Sequence, residues 1–417
     1  MPEPLPFNLK TVQEIAKKHP TPFHLYEEFG IRRTARALKD AFKWAPGYRN
    51  YFAVKATPTP AILNLLREEG MGLDCSSLGE LVLAQKLGFG GEEIMFTAND
   101  VAAEEFAKAR ELGAVINFDD ISHIPFYFNH VEKPPDFAAI RYNPGPGRTG
   151  NVIIGSPEEA KFGVTRDQLF EGYGLLKAKG VSRFGLHTMV ASNELDPAYF
   201  AETARMLFKL VAELAEHGIE LELVNLGGGF GIPYRPEDHA LDLTKVSEGI
   251  HSEFKKHLRA AGLPEPKIVL ELGRFVTGPH GYLVSKVRHI KRTYKTFIGL
   301  EATMADLMRP GMYGAYHHIT ILGKEEAEPA GKYDVTGSLC ENNDKFAIDR
   351  KLPEVEVGDV AVIHDAGAHG RSMGFNYNAK LRCGEVLLKQ DGSFEQIRRP
   401  ETLDDYFATI APFGLEQ

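Results

Sequence analysis

In the stretch Tyr51-Phe52-Ala53-Val54-Lys55-Ala56, an apolar run of the kind found in buried strands is followed by a single lysine, Lys55. Pro58 and a helical pattern come directly after this stretch. Two interpretations of Lys55 are open. A lysine at a strand end can keep its stem on apolar surface and its ammonium group in water. A desolvated lysine can instead be a nucleophile that forms a Schiff base with a carbonyl group. The other motifs of the chain have to decide between these two roles.

Composition limits the classes of protein that the chain can belong to. The chain has 417 residues and a net charge of −9, with 43% hydrophobic and 25% charged residues. This length exceeds what one core usually serves, so we expect two domains. Acidic and basic residues are interspersed and form no basic stripe, so we expect no nucleic-acid partner. We find no secretory leader pattern and no apolar run of about eighteen residues, so we expect a soluble cytoplasmic protein without a membrane partner.

The three cysteines are Cys75, Cys340 and Cys383. They are too few and too scattered for a disulfide framework or a structural zinc site. We therefore expect free thiols in a reducing compartment and no metal.

Between residue 36 and residue 276, strand patterns alternate with amphipathic helix patterns. The eight strand patterns are Tyr51 to Val54, Gly72 to Ser76, Ile94 to Thr97, Ala114 to Phe118, Ala138 to Tyr142, Arg183 to Thr188, Glu222 to Asn225, and Lys267 to Glu271. The segments between them are long enough for crossover helices. Eight such units predict a closed (β/α)8 barrel, with an open doubly wound sheet as the alternative.

From residue 277 onward the pattern changes to short alternating runs, which indicate an all-β domain. The clearest runs are Gly281 to Val287, Thr296 to Leu300, His318 to Leu322, Val360 to His364, and Glu385 to Lys389. Near the N-terminus, Thr21 to Tyr26 also alternates like a strand. The segment from Lys324 to Lys332 is rich in Glu, Ala and Pro and is predicted to be an exposed excursion between strands.

Barrel enzymes carry their chemistry at the C-terminal ends of the strands. The residues at the predicted strand ends are Lys55, Asp74, Ser76, Arg141, Asn143, His187, Gly227-Gly228-Gly229, Glu271 and Arg274. The triple glycine is either a bare turn or a loop whose backbone amides approach a phosphate. Glu271 either forms an ion pair with Arg274 or keeps a pyridine nitrogen protonated. A phosphate-binding glycine loop, a glutamate that protonates a pyridine nitrogen and a Schiff-base lysine together point to pyridoxal phosphate as the cofactor.

These motifs resemble those of the diaminopimelate decarboxylase family, and the resemblance runs over nearly the whole chain. Tyr51 to Ala56 is similar to the lysine motif of the family, Asn225 to Gly231 to its glycine loop, and Glu271-Leu272-Gly273-Arg274 to its Glu-Pro-Gly-Arg motif. Three further matches are Arg309-Pro310-Gly311-Met312-Tyr313, Cys340-Glu341-Asn342-Asn343-Asp344 and Tyr377-Asn378. The resemblance implies a barrel over residues 36–276 and a β domain formed by residues 1–35 and 277–417, which contributes to the substrate site and the dimer interface.

The resemblance also implies roles for individual residues. Lys55 would carry pyridoxal phosphate and Cys340 would protonate the carbanion that decarboxylation leaves. The implied cofactor-binding residues are Lys55, Asp74, Ser76, Arg141, His187, Met189, Gly227, Gly228, Gly229, Glu271, Gly273, Arg274 and Tyr377. The implied substrate-binding residues are Arg274, Arg309, Tyr313, Glu341 and Tyr377. Arg309 would attract a distal carboxylate and repel a terminal ammonium group, which selects for diaminopimelate.

One segment departs from the family pattern. The family often has a histidine that stacks on the cofactor ring, inside a His-Ile-Gly-Ser segment, and the matching segment here is Met189-Val190-Ala191-Ser192. Met189 could supply apolar contact to the ring without a charge. We predict a homodimeric decarboxylase of meso-diaminopimelate whose sites are shared between subunits. The alternatives are a decarboxylase of the ornithine or arginine type, a racemase of the same fold, and a non-catalytic carrier of the cofactor.

Overall fold

The computed structural model describes residues 4–148 and 155–410. The strands are β1 (Phe23–Glu27), β2 (Arg49–Ala53), β3 (Gly72–Cys75), β4 (Ile94–Thr97), β5 (Val115–Phe118), β6 (Ala138–Arg141), β7 (Phe184–His187), β8 (Leu223–Asn225), β9 (Lys267–Leu270), β10 (Gly281–Arg292), β11 (Thr296–Leu300), β12 (Ile319–Ile321), β13 (Gly331–Thr336), β14 (Lys345–Leu352), β15 (Val360–Ile363), β16 (Gly384–Leu388) and β17 (Phe394–Arg398).

The α-helices are α1 (Leu9–Lys18), α2 (Glu28–Ala41), α3 (Pro60–Glu68), α4 (Leu78–Lys86), α5 (Ala103–Glu111), α6 (His123–His130), α7 (Arg166–Ala178), α8 (Pro197–Glu216), α9 (Leu243–Phe254), α10 (Arg274–Thr277), α11 (Arg309–Tyr313) and α12 (Leu403–Phe407). Within the described ranges, no helix is both long and apolar enough to cross a membrane.

The chain divides into two compact units. One unit comprises Arg32–Ile232 and His239–Phe275, and the other comprises Met1–Ile31, Pro233–Asp238 and Val276–Gln417. The short segment Pro233–Asp238 lies inside the range that the sequence assigns to the barrel, but it belongs to the second unit.

The first unit is a closed barrel of eight parallel strands in the order β2 to β9, and β9 pairs with β2 to close it. The predicted barrel is therefore confirmed. Barrel strands in which nearly every residue is apolar and buried suit this fold, because crossover helices cover the outside while side chains fill the inside. One cluster of buried side chains comprises Tyr51, Met95, Val115, Phe137, Ala139, Leu223 and Val269.

The predicted bounds of the eight barrel strands differ from the observed bounds by at most two residues at either end, whereas β10 of the β unit extends five residues beyond the predicted Val287. At the first barrel strand the difference concerns the key lysine, because β2 ends at Ala53 and Val54–Ala56 form a short 3-10 turn. Lys55 therefore lies in this turn and not on the strand itself. Its side chain is exposed, whereas Val54 and Ala56 on either side are buried.

The second unit contains a nine-stranded sheet. Its main path runs β14-β13-β11-β10-β1-β16-β17, while β15 pairs with β10 and with β12. The N-terminal strand β1 lies between β10, to which it is antiparallel, and β16, to which it is parallel. Two hydrophobic clusters stabilise the unit, one around Leu283, Ile298 and Phe346 and the other around Phe23, Leu25 and Val362. The β domain that the sequence predicts is confirmed, and β1, from the N-terminal segment, is one of the strands of its sheet.

Candidate active site

Glu271 follows β9 and is held by two polar side chains from neighbouring strands of the barrel. It is 8% exposed. Nδ2 of Asn225, the last residue of β8, donates to Oε1 of Glu271 at 2.6 Å, and Nε2 of His187, the last residue of β7, lies 3.1 Å from Oε2. Burial raises the pKa of Glu271, but His187, Asn225 and the charge of Lys55 outweigh burial and bring this pKa below its usual value. The carboxylate is therefore ionised at neutral pH.

The other side of the His187 ring faces Asn117, on strand β5. Nδ1 of His187 contacts Nδ2 of Asn117, and Nδ2 also donates to Oγ1 of Thr97 at 3.1 Å. All three side chains are buried, and His187 is only 1% exposed. The structure thus places His187 between Asn117 and Glu271, in a chain of polar groups that crosses strand ends of the barrel.

Asp74 is the second buried carboxyl group at this end of the barrel. It lies on β3 and is 3% exposed, and its Oδ1 has no hydrogen-bond partner among the described residues. Burial raises the pKa of Asp74 well above its usual value, the charge of Glu271 raises it further, and Lys55 opposes both. Two carboxyl groups with pKa values displaced in opposite directions are typical of a site that handles protons.

The glycine loop after β8 has no room for side chains. Gly227 has a φ of +72°, a conformation that glycine adopts without strain. A Cβ atom on Gly228 would lie 2.5 Å from the carbonyl oxygen of Glu271, and one on Gly229 would lie 2.6 Å from that of Ala191. Oδ1 of Asn225 accepts from the N–H of Gly227 at 2.9 Å, so the residue that holds Glu271 also orders this loop.

Met189 lies against this loop. Its Sδ accepts from the backbone N–H of Gly228 at 3.1 Å, and a Cβ on Gly227 would be 3.2 Å from the same sulfur. Met189 and the glycine loop are therefore brought together, although the sequence does not predict this contact. Whether Met189 also contacts a cofactor ring stays a prediction.

The remaining predicted barrel residues lie close to the same strand ends. Arg141 is buried, pairs with Asp119 at 3.0 Å, and has Phe162 beneath its guanidinium at 4.5 Å. The N–H of Ser76 donates to the side chain of Glu80 at 2.6 Å. A Cβ on Gly273 would lie 2.7 Å from that of Ala56, next to Lys55. Nη2 of Arg274 lies 3.4 Å from Oγ of Ser192.

In the β unit, the structure brings the Cys340 segment and the Tyr377 segment together. The N–H of Cys340 donates to Oδ1 of Asn378 at 2.7 Å, and both Cys340 and Tyr377 are exposed. Oε1 of Glu341 accepts from the N–H of Asn343 at 3.0 Å. The loop is anchored from within by Asp344, whose two carboxylate oxygens accept from the N–H groups of Met304 and Leu339, each at 2.7 Å.

Arg309, the first residue of α11, is a buried cation of the β unit. It is 4% exposed. Its Nη1 donates to the hydroxyl of Tyr234, and its guanidinium lies 4.7 Å from the centre of the same ring. Tyr313, at the other end of the same short helix, is exposed. A buried guanidinium held in one orientation by a tyrosine is suited to binding a carboxylate in two-pronged fashion.

Sequence reasoning missed Asn117, Asn225, Tyr234 and Asp344. Asn225 ends an otherwise apolar barrel strand and Asn117 is the last residue but one of another, so a search for polar residues near strand ends could also have selected them. Tyr234 lies six residues beyond Gly228 and no local pattern links it to Arg309. Asp344 belongs to the Cys340 motif, but its hydrogen bonds to Met304 and Leu339 form only in the folded loop, so the sequence does not predict them.

The comparisons with known proteins identify the family. The family model of the pyridoxal-dependent decarboxylases, pyridoxal binding domain, matches residues 29–278. The chain belongs to this family and is a decarboxylase that uses pyridoxal phosphate.

Three relatives show how far the similarity extends. The protein TabA of Pseudomonas amygdali pv. tabaci is 44% identical over 96% of this chain and 93% of its own length. The diaminopimelate decarboxylase of Methanothermobacter thermautotrophicus is 36% identical over 94% of this chain and 92% of its own. The crystal structure of the diaminopimelate decarboxylase of M. jannaschii with L-lysine superposes with a TM-score of 0.89 at 33% identity, covering 95% of this chain and 94% of the other.

The residues of the barrel fit the cofactor. The glycine loop offers close approach to backbone amides, as a phosphate requires. The buried carboxylate of Glu271 suits a protonated ring nitrogen, and the unpartnered Oδ1 of Asp74 offers a further polar contact. Lys55 presents an exposed amine at the same end of the barrel.

Proposed function

We propose that this decarboxylase removes CO2 from meso-diaminopimelate and releases L-lysine. The observation that carries the proposal is the buried guanidinium of Arg309, held by Tyr234 within a segment that matches the family motif. Ornithine, lysine and arginine end in a cation, which Arg309 would repel, whereas diaminopimelate carries a second carboxylate. The full-length similarity to enzymes named diaminopimelate decarboxylase supports this substrate.

Each step needs a group of this chain in a defined role. When bound, pyridoxal phosphate accepts the electron pair that remains on the α carbon after CO2 leaves. Lys55 would hold the cofactor covalently through Nζ, and the amides of Gly227 to Gly229 would bind its phosphate. Glu271 would keep a proton on the ring nitrogen, and Cys340 would deliver a proton from Sγ to the α carbon. Asp74, Ser76, Arg141, His187, Met189, Gly273, Arg274 and Tyr377 would complete the cofactor site.

The distal end of the substrate would be bound from the β unit. Arg309 and Tyr313 would bind the distal carboxylate, and Glu341 would accept from the distal ammonium group. We also propose that the protein works in the cytoplasm as a homodimer in which each site combines Lys55 of one subunit with the Cys340 segment of the other. A twofold dimer pairs the same patches reciprocally, so both sites would be completed in the same way.

Two observations favour a second candidate substrate, a different amino acid that also carries a second carboxylate. TabA is 44% identical to this chain, compared with 36% for the diaminopimelate decarboxylase of M. thermautotrophicus. Met189 in place of the stacking histidine is a further departure from that family pattern. A decarboxylase of a different amino acid that also carries a second carboxylate would keep Arg309 and the whole cofactor site.

The test is a substrate panel with the purified protein loaded with pyridoxal phosphate. CO2 release is measured with meso-diaminopimelate, ornithine, arginine, lysine and alanine, and alanine racemisation is followed in parallel. We expect CO2 and L-lysine in equal amounts from diaminopimelate alone. Release from ornithine or arginine, or racemisation without CO2, would overturn the substrate. Absence of activity on the whole panel with normal cofactor binding would favour the second substrate class.

A further inference from the structure

His187 is buried, and its ring lies between a carboxylate, that of Glu271, and an amide, that of Asn117. On one side, its Nε2 lies 3.1 Å from the ionised carboxylate of Glu271. On the other, its Nδ1 contacts the amide nitrogen of Asn117. Nε2 has no hydrogen-bond partner among the described residues, so its link to Glu271 is the 3.1 Å electrostatic contact between neighbouring groups. The state of the imidazole then depends on what Asn117 presents to it.

The Asn117 amide presents a donor. In the orientation that the structure gives this amide, Nδ2 contacts Oγ1 of Thr97 and Nδ1 of His187, while Oδ1 is buried without a hydrogen-bond partner among the described residues. A nitrogen that faces an N–H donor must offer its lone pair, so Nδ1 carries no proton and Nε2 carries the single proton of a neutral imidazole. The opposite orientation of the amide would turn Oδ1 toward Nδ1, which would favour an imidazolium ion with both nitrogens protonated.

The charge of His187 matters because Glu271 carries a single negative charge, which can interact with His187, with the ring nitrogen of the cofactor, or with both. Next to an imidazolium ion, that charge would be divided between His187 and a protonated ring nitrogen. Next to a neutral imidazole, the hydrogen bond from Asn225 and the charge of Lys55 still favour the ionised carboxylate, and its charge remains available to the ring nitrogen alone. The other titratable groups around Glu271 are Lys55, whose amine the cofactor would take up, and Asp74, whose pKa is raised by burial and by the charge of Glu271.

We propose that Asn117 and His187 are positioning residues for Glu271: the Asn117 amide holds His187 as the neutral tautomer protonated on Nε2, and this reserves the negative charge of Glu271 for the protonated ring nitrogen of pyridoxal phosphate. The proposal rests on the role given to Glu271 above and is independent of which amino acid is the substrate. Groups that act through a ligand-binding side chain in this way fix its orientation and its charge.

The first test reads the tautomer directly and needs no altered protein. The full-length protein is labelled with ¹⁵N-histidine, and the His187 ring signals are identified by their loss in His187→Gln. We expect one protonated nitrogen, Nε2, across the neutral pH range, both with and without pyridoxal phosphate. Protonation of both ring nitrogens, or of Nδ1 alone, would overturn the proposal.

The second test changes the group that faces Nδ1. Asn117→Asp presents a carboxylate, which accepts from Nδ1–H and converts His187 to imidazolium. We expect both ring nitrogens to become protonated, the absorption spectrum of the bound cofactor to change, and kcat to fall by about 10- to 100-fold with little change in KM. The matched control is Thr97→Ser, which keeps the hydroxyl that accepts from Nδ2 of Asn117 and removes only a methyl group, and kcat should change by less than about threefold.

Glu271→Gln separates this proposal from the one on which it rests. If Glu271→Gln leaves the spectrum of the bound cofactor unchanged, the role of Glu271 is wrong. If Glu271→Gln alters the spectrum but Asn117→Asp alters neither the spectrum nor the protonation of His187, Glu271 keeps its role and the proposal for Asn117 and His187 is overturned. An equal loss of kcat in Thr97→Ser would also overturn it, because packing alone would then explain the effect.

Discussion

The backbone N–H of Cys340 donates a hydrogen bond of 2.7 Å to Oδ1 of Asn378. The two residues are 38 positions apart and belong to two separate motifs of the β unit. Asn378 has a φ of +54°, in the left-handed region that asparagine tolerates better than most residues. Asn378 therefore occupies a left-handed position of its turn, and its side chain holds the backbone of the proposed proton donor.

Replacing Asn378 should separate these contributions. We expect Asn378→Ala to lose about 1 kcal/mol of stability with the hydrogen bond and roughly 1 kcal/mol more from the left-handed backbone. We also expect kcat to fall, since Cys340 loses its tether. Asn378→Asp keeps an acceptor oxygen and tolerates the same backbone, so it is the matched control and should retain most of the activity. Urea unfolding and steady-state kinetics measure both effects; an unchanged kcat in Asn378→Ala would mean that the contact serves the fold only.

Lys55 is predicted to hold the cofactor covalently. Its exposed side chain in the turn Val54–Ala56 leaves the amine accessible, while its buried neighbours fix the backbone. Lys55→Ala should therefore bind pyridoxal phosphate without a covalent bond and lose activity. Borohydride reduction followed by peptide mapping should label Lys55 alone in the native protein. Lys86→Ala, at the exposed end of α4, should label normally, and a label on any lysine other than Lys55 would refute the assignment.

Arg309 is predicted to select the substrate. Loss of one partner of a buried charged pair costs about 3–5 kcal/mol, so Arg309→Ala should lower kcat/KM for diaminopimelate by more than about 100-fold. Arg235→Ala is the control, because Arg235 is an exposed arginine of the same unit that lies 5.4 Å from the Tyr316 ring. Its effect should stay within about twofold. Near-native kcat/KM in Arg309→Ala would exclude this role for the guanidinium.

The stability of the β unit should depend on pH through His318 and His364. Their rings meet edge to face with centroids 4.9 Å apart, and Nε2 of His364 lies 2.8 Å from Oγ1 of Thr320. Burial lowers the pKa of His318 to about 4 and that of His364 to about 3. In the unfolded chain both titrate near about 6.5, so the unfolded state binds protons first as the pH falls.

The free energy of unfolding should therefore decrease as the pH is lowered from about 6.5 to about 4. Denaturant unfolding at several pH values measures this dependence. In His364→Gln, which keeps a polar group opposite Thr320 but cannot titrate, the decrease should be smaller. An identical decrease in native protein and variant would show that His364 does not contribute.

The sequence predicts the barrel well because its strands carry a strong local signal. Runs such as Ile94–Thr97 and Val115–Phe118 are buried on both faces, so apolar residues dominate without any help from distant contacts. The strands of the β unit are harder to predict from the sequence. Strand β14 has exposed charged residues over much of its length, including Asp349 and Lys351, so neither alternation nor a continuous apolar run marks it. Its place is decided by pairing with β13, which no local pattern records.

In the candidate site, too, some residues can be predicted from the sequence and others cannot. Lys55, Glu271 and the glycine loop follow from their position at strand ends and from chemistry that a cofactor needs. The partners that set their charge and orientation are single polar residues from other strands, such as Asn117 and Asn225. The contact between Arg309 and Tyr234 joins residues 75 positions apart. Such pairs exist only in the folded chain, so the sequence supplies the reactive groups more readily than the groups that orient them.

The sharing of each active site between two subunits is predicted from the family resemblance and has a direct test. Lys55→Ala and Cys340→Ala should each be inactive alone. After subunit exchange at equal concentrations, random pairing makes half of the dimers hybrid, and each hybrid has one site with Lys55 and Cys340 both intact. About one quarter of native activity should return. Verified hybrid dimers with no gain over the separate variants would show that each subunit completes its own site.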